Sequence, residues 1–302
     1  MRKKNIIVWS IVFGVIFALC IVSTVVFTLG KVEFQMTAQI KDINRSRLYT
    51  QANTQESVID TLNTAAEFEI GGNLLIMNFD NQINNMERAC PYVKIDRIVR
   101  SFPNKITVYY SEREAVALLP VSGVADSYYV VDDGLKVLDY AVYNALDGKY
   151  LSQEGYGEYV LPVVDFNEQS FTAEIGDIIN NPELNDKLST FVAGAFSANG
   201  VAAALYEDIM MSSTKIKFYT SEHGDYRCKY IVKTNTETKV EIDIYRIEER
   251  FFDKVAISWN LFIQEYKDGD ALSDIKLEVY VSANKITIAD VSNSKDVIFS
   301  ED

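Results

Sequence analysis

A few short stretches of this chain carry residue types and spacings from which chemistry could be built. Asp132-Asp133-Gly134 sets two carboxylates beside a glycine, as a cation-binding loop would. The same triplet suits a hairpin turn, where Asp bonds nearby backbone and Gly accepts unusual φ, and a turn is the expectation here. Glu112 and Glu114 are two apart, so on a strand they share one face while Arg113 points to the other. Paired carboxylates serve glycoside hydrolysis, but no cleft-forming pattern flanks this pair. His223 lies in Ser221-Glu222-His223-Gly224-Asp225 with no nucleophile frame such as G-x-S-x-G nearby, which reads as a surface turn. Gly155-Tyr156-Gly157 lacks the third glycine and the strand-to-helix setting of a nucleotide loop. Cys90 and Cys228 fall in different expected domains and read as buried thiols rather than a disulfide.

Composition narrows the classes further. The 302 residues are 48% hydrophobic and 24% charged, as in folded domains. Against 29 Lys+Arg stand 43 Asp+Glu, a formal net charge of -14, which argues against a nucleic-acid surface. One histidine and three cysteines exclude most zinc sites, His-rich metal centres and disulfide-dense scaffolds. Neither an enzyme, a cofactor, a metal nor a small-molecule substrate is expected.

The chain opens Met1-Arg2-Lys3-Lys4, expected to be a cytoplasmic tail, and has no charged residue from Asn5 to Leu29. A run of roughly 20 apolar residues suffices to cross the hydrocarbon core, so residues 5–29 are expected to form a transmembrane helix. The run is too long for a signal-peptide core and ends without an A-x-A-like site. Basic residues before it put the N-terminus inside and the remainder outside the membrane.

Residues 31–112 read as a small α+β domain. Val32, Phe34 and Met36 alternate as in a half-buried strand. Asn53 and Glu56 resemble a helix cap with its N3 carboxylate, and Val58 and Leu62 follow at helical spacing. Phe79, Ile83 and Met86 mark a second helix, which Pro91 stops. Residues 93–100 and 106–110 read as strands around the turn Phe102-Pro103-Asn104, giving β-α-α-β-β.

Several motifs then line up. They are Gly72-Asn73-Leu74-Leu75, Pro91-Tyr92-Val93-Lys94, Arg100 with Pro103-Asn104, Glu112-Arg113 followed by Val116-Ala117, and Tyr128 through Leu138 with Val130-Val131-Asp132 and Gly134. Together they resemble the POTRA domain, and the hairpin after it, of the DivIB/FtsQ family of bacterial cell-division proteins. The resemblance covers about residues 1–140, and Ala115 stands where the family has proline. It implies a POTRA domain at 31–112, then a β domain at 113–291 and a polar tail at 292–302. It also implies a single-pass protein of the cell membrane, with a cytoplasmic N-terminus and an extracytoplasmic C-terminus, enriched at the division septum.

Within 113–291 the expected strands are 115–119, 128–131, 136–139, 215–220, 226–233, 239–245, 275–282 and 285–289. One amphipathic helix follows Asn181-Pro182 with Leu184, Leu188 and Phe191 inward. Another carries Phe252, Val255, Trp259 and Phe262 and stops at Asp268-Gly269-Asp270. The last expected strand pair alternates Leu277, Val279 and Val281, then Ile286 and Ile288. In the family this distal part of the β domain carries the surface for FtsL and for the protein called FtsB or DivIC. Those five residues are therefore expected at a partner surface on a terminal edge. The expected function is a non-catalytic, bitopic scaffold of the divisome that recruits and orders these partners and couples division to cell-wall synthesis. The competing class is a cell-surface enzyme or wall-binding sensor that carries a POTRA-like domain.

Overall fold

The computed structural model describes residues 26–40, 46–48, 54–146, 148–197, 215–234, 238–266, 273–282, 285–292 and 295–300, together with 9, 12–18 and 21. The chain divides into two compact units, Met1–Glu114 and Ala115–Asp302.

The first unit runs β1 (Lys31–Ala38), α1 (Gln55–Ala66), α2 (Asp80–Ala89), β2 (Val93–Ser101) and β3 (Lys105–Glu112). Its sheet has the order β1-β3-β2, with β1 parallel and β2 antiparallel to the central strand. A parallel pair needs a long crossover, and the two helices lie in the connection between β1 and β2. Thr54 caps α1 by accepting the Ser57 amide at 3.2 Å, one residue after Asn53, which lies outside the described residues. Val58, Leu62 and Ala66 are the buried face of α1, and Met86 is the buried residue of α2. Both outer strands are bulged, β1 between Met36 and Ala38 and β2 between Ile95 and Arg97. A bulge on an edge strand interrupts the row of donors and acceptors that a stray strand would pair with.

Two expectations are overturned at the start of the chain. Among the described residues no helix is long and apolar enough to cross a membrane. This corrects the transmembrane helix expected at 5–29 and, with it, the single-pass placement in the cell membrane. Much of that run (5–8, 10–11, 19–20 and 22–25) lies outside the described residues, as do 1–4. Its end is built into the first unit as extended chain instead. Thr28 bridges Asn73, the Leu29 amide donates to Gly72 at 2.8 Å, and the Leu74 amide donates to Phe27 at 2.8 Å. Leu29 is 1% exposed and packs in a core with Leu74, Phe79 and Ile106. Only the end of the run is used this way: Leu29 is buried, whereas Trp9, Phe13 and Phe17 are exposed.

The second unit holds one twelve-stranded sheet. Its strands are β4 (Ala117–Pro120), β5 (Ser127–Val131), β6 (Val137–Asn144), β7 (Lys149–Ser152), β8 (Glu158–Tyr159), β9 (Val163–Phe166), β10 (Lys215–Thr220), β11 (Tyr226–Lys233), β12 (Lys239–Ile244), β13 (Ile275–Ser282), β14 (Lys285–Asp290) and β15 (Lys295–Ser300). The order is β15-β14-β13-β12-β11-β10-β9-β4-β5-β6-β7-β8. The parallel pairs are β12·β13, β9·β10 and β4·β9. A helix lies in the chain between the strands of the first two pairs: α3 (Pro182–Ser197) precedes β10, and α4 (Phe251–Leu261) follows β12. Asn181 caps α3 through the Leu184 amide at 3.0 Å. The chain expected as a polar tail at 292–302 contains β15, paired antiparallel with β14.

The helices and one face of the sheet share a core. Ile216, Phe218, Cys228, Tyr230, Val240, Ile242, Leu277, Val279, Ile286 and Ile288 from the strands are buried with Leu184, Leu188, Phe191, Phe251, Val255 and Trp259 from the helices. Alternation with period two in β10 and β13 produces this one-sided burial. Tyr230 stacks on Trp259 at 5.6 Å with 18° between planes and meets the edge of Phe191 at 5.2 Å.

The helices cross closely at Gly194. A Cβ there would lie 2.9 Å from the Phe252 carbonyl oxygen and 3.0 Å from the Val255 Cβ. Gly194→Val is expected to force α3 and α4 apart and lower stability by about 2 kcal/mol, measured by urea denaturation.

Candidate functional site

The residues that carry the family resemblance in the first unit sit at its joints. Arg100, on β2, donates from Nε to the Leu74 carbonyl at 2.8 Å and from a terminal nitrogen to that of Met77. Its guanidinium lies 4.8 Å from the centre of the Phe79 ring. One side chain thus ties the sheet to the loop that leads into α2. At the tip of the hairpin, beside Pro103, the Asn104 carbonyl accepts the amides of Gly30 and Lys31 at 2.7 and 3.1 Å. Pro91, Tyr92 and Val93 are buried where α2 gives way to β2.

Glu112 ends β3 and is spent entirely on local donors. It accepts the Ser46 hydroxyl at 2.8 Å and the amides of Arg47, Leu48 and Ile40 at 2.8, 2.9 and 3.2 Å. Glu114 lies beyond the end of β3, so the two carboxylates do not share a strand face as the spacing suggested. Arg113 pairs with Glu87 at 2.9 Å and donates to the Val93 carbonyl at 3.2 Å, while Glu87 also accepts the Ile95 amide at 2.8 Å. Each of these charges holds a segment of backbone, a structural use that consumes its bonding capacity.

The other chemical candidates are turns. Asp132 accepts the amides of Gly134 and Lys136 at 2.9 and 2.8 Å, closing the β5–β6 connection. His223 is exposed between β10 and β11, in a turn closed by the Ser221 amide on the Asp225 carbonyl at 2.8 Å. Gly155 and Gly157 both take positive φ between β7 and β8. Cys90 and Cys228 are free, and burial pushes the Cys90 thiol up to about 11 and that of Cys228 well above its ordinary value. Among the described residues no group of acidic, histidine or cysteine side chains could hold a metal ion.

The five residues expected at the partner surface lie on two interior strands. Leu277, Val279 and Ile286 are 0% exposed and Ile288 is 1% exposed, all in the core, with Val281 packed against it. β14 has β13 on one side and β15 on the other. A charge at Val279 or Ile288 would break the core and therefore does not probe an interface. The sequence reading missed β15 because Lys295-Asp296 and Glu301-Asp302 bracket its apolar triplet and read as tail. The signal that could have found it is the triplet itself, Val297-Ile298-Phe299.

The opposite face of this half of the sheet is polar and organised. Tyr219 donates to both Asp243 oxygens at 3.1 and 3.0 Å. Arg227 approaches Asp243 at 3.7 Å and lies 3.7 Å from the centre of the Tyr245 ring. Burial pushes the Asp243 carboxyl up against the bond from Tyr219. Lys229–Glu241 at 2.9 Å and Lys217–Asp165 at 3.5 Å extend the pattern over neighbouring strands. Oppositely charged neighbours at this spacing hold register on a solvent face.

Lys254, on α4, is fully buried. Its amine donates to the carbonyls of Tyr245 and Arg246 at 2.7 and 2.9 Å. These belong to the β12–α4 connection, where Arg246 and Arg250 take left-handed φ of 49° and 50°. Burial lowers the Lys254 pKa to about 8. No protein-family model and no curated protein sequence matches the chain.

Two outcomes follow from this geometry. Glu112→Ala strands the Ser46 hydroxyl and three amides, so the first unit is expected to lose roughly 2–4 kcal/mol, measured by denaturant unfolding. Lys254 has a folded pKa below its unfolded one, so it costs stability below about pH 8, and the cost fades as pH rises toward the ordinary lysine value. The stability of the natural chain relative to Lys254→Met is expected to rise between pH 8 and 10; equal slopes would contradict it.

Proposed function

We propose that the chain belongs to the DivIB/FtsQ family and is a non-catalytic scaffold of the bacterial divisome. In this reading it recruits and orders FtsL and DivIC/FtsB-type proteins and so couples division to cell-wall synthesis. The observation that carries it is the first unit. Its β-α-α-β-β order, with β1 parallel to a central β3, places the residues of the resemblance at the joints of one framework. Arg100, Asn104, Glu112 and Arg113 each grip a different loop or strand end of that unit. Residue types that must recur together to hold a fold are a more specific sign than a shared turn.

The second unit supports the same reading through its sheet. A long sheet with a terminal edge offers main-chain donors and acceptors to an extended partner segment, which suits ordering of partners without chemistry. Its polar face carries paired charges on β9 to β12, groups that act on specificity and encounter rate more than on affinity.

Co-purification tests the proposal. Tagged chain is expected to retain FtsL- and DivIC-type proteins from the same cell, and purified partner segments are expected to bind it with micromolar Kd or tighter. Recovery of neither partner would sink the scaffold reading. Retention on purified cell wall without either partner would favour a wall-binding sensor.

A further inference from the structure

We infer that Tyr128, Tyr143 and Tyr150, with the Asp126 carboxylate beside them, form a docking site for an arginine side chain on a segment of a partner protein. The site lies on a face of the long sheet, across β5, β6 and β7, and it takes a side chain, not a strand. It stands apart from the scaffold reading and does not rest on it.

The first ground is an aromatic surface. The register sets Tyr143 opposite Tyr150, and Tyr128 opposite Ala141, two residues from Tyr143, so the three rings share one face. The Tyr150 ring meets that of Tyr128 edge-on at 5.1 Å and that of Tyr143 at 5.1 Å with 46° between planes. All three are half-buried. Two turns border them, joined where the Tyr143 amide donates to the Asp126 carbonyl at 2.8 Å. Each turn holds an apolar side chain out in solvent, Val124 at 50% exposed and Leu146 at 95%. Tyrosine is among the residues that carry binding energy at protein interfaces.

The second ground is a charge without a counterpart. Asp126 is exposed, and its carboxylate has no ion pair and no hydrogen bond among the described residues. Lys149, next to Tyr150 in sequence, pairs instead with Glu158 at 2.6 Å. Burial pushes the Tyr150 hydroxyl up to about 12, and Tyr128, Tyr143 and Asp126 add to the effect through space. The Tyr150 hydroxyl therefore stays neutral at physiological pH, and Asp126 supplies the charge that draws a cation. The chain as a whole carries a formal net charge of -14, which favours encounter with basic segments.

The third ground is how the same residue types are used elsewhere in this sheet. Arg227 lies 3.7 Å from the centre of the Tyr245 ring and approaches Asp243 at 3.7 Å and Asp225 at 3.8 Å. Tyrosine with aspartate is there filled by a guanidinium of the chain itself. Over Tyr128, Tyr143 and Tyr150 no Arg or Lys of the described residues is placed in this way. Arginine suits the site better than lysine, because its plane stacks on a ring while its fork of donors reaches a carboxylate.

The test titrates the full-length chain, isotope-labelled in its tyrosine rings, with blocked peptides that hold one arginine, lysine or citrulline between leucines. The arginine peptide is expected to shift the NMR signals of Tyr128, Tyr143 and Tyr150 saturably, and no saturable shift at these three would overturn the site. Citrulline keeps the shape of arginine and loses the charge, so it is expected to bind about tenfold more weakly. Equal affinity would sink cation recognition, and a lysine peptide as tight as the arginine one would sink the assignment to arginine. Asp126→Asn removes the carboxylate and keeps the fold, because Asn accepts the left-handed φ of 55° found there. It is expected to weaken the arginine peptide about fivefold, while Asp133→Asn in the next turn leaves it unchanged. No loss with Asp126→Asn, or an equal loss with Asp133→Asn, overturns the role of Asp126. Tetramethylammonium binding at lower concentration than the arginine peptide would instead mark a site for a small quaternary ammonium and overturn the protein segment as occupant.

Discussion

The second unit depends on one-sided burial of a long sheet, and Tyr230 is where that constraint is met most tightly. Its ring is held between Trp259 of α4 and Phe191 of α3, and its hydroxyl bonds Ser258 at 2.5 Å. A tyrosine buried this deeply needs a partner for its oxygen, and the serine on α4 supplies it. The helices therefore cannot slide along the sheet without losing a stacked ring and a buried hydrogen bond together. Gly194 lets them cross closely enough to reach this position. The strands on either side, β10 and β12, alternate so that the same face stays apolar while their Tyr219 and Asp243 join Arg227 of β11 on the other.

The first unit is held in a different way. It is small, and much of its definition comes from charged side chains that bond backbone rather than solvent. Arg100 reaches two carbonyls before α2, Glu112 gathers the chain after β1, and Arg113 with Glu87 ties β2 and β3 to α2. Charge-assisted bonds to backbone are directional, so they set loop positions that apolar packing alone would leave loose. This explains why residue types that suggest catalysis in a linear reading end as fittings. Their lone pairs and protons are already engaged with backbone and neighbouring side chains.

Such a distribution of polar groups bears on function. The carboxylates and the histidine that invite a catalytic reading lie in turns or at strand ends, whereas the extended resource of the molecule is its sheet. Bulges interrupt both outer strands of the three-stranded sheet. In the long sheet the terminal strands are β8, two residues, and β15, six residues. Short or irregular edges are how β proteins avoid unwanted pairing.

Local patterns in the sequence determined most elements by themselves. Period-two alternation placed β1, β10, β11 and β13, helical spacing with Asn181-Pro182 placed α3, and Phe102-Pro103-Asn104 placed the β2–β3 turn, because these signals act over a few neighbouring residues. The short strands β7, β8 and β9 carried too few residues to show a period, and β15 was hidden by its flanking charges. What only tertiary structure decided was where each apolar or charged residue was used. The uncharged run before Lys31 ends in the core of the first unit, since burial satisfies it there at Leu29. Leu277, Val279, Ile286 and Ile288 alternate as an edge strand would, yet they are interior, because β13 lies between β12 and β14 and β14 pairs with β15. Alternation reports that a face is buried; which neighbour buries it, and whether an edge is open, depends on contacts between segments distant in the chain.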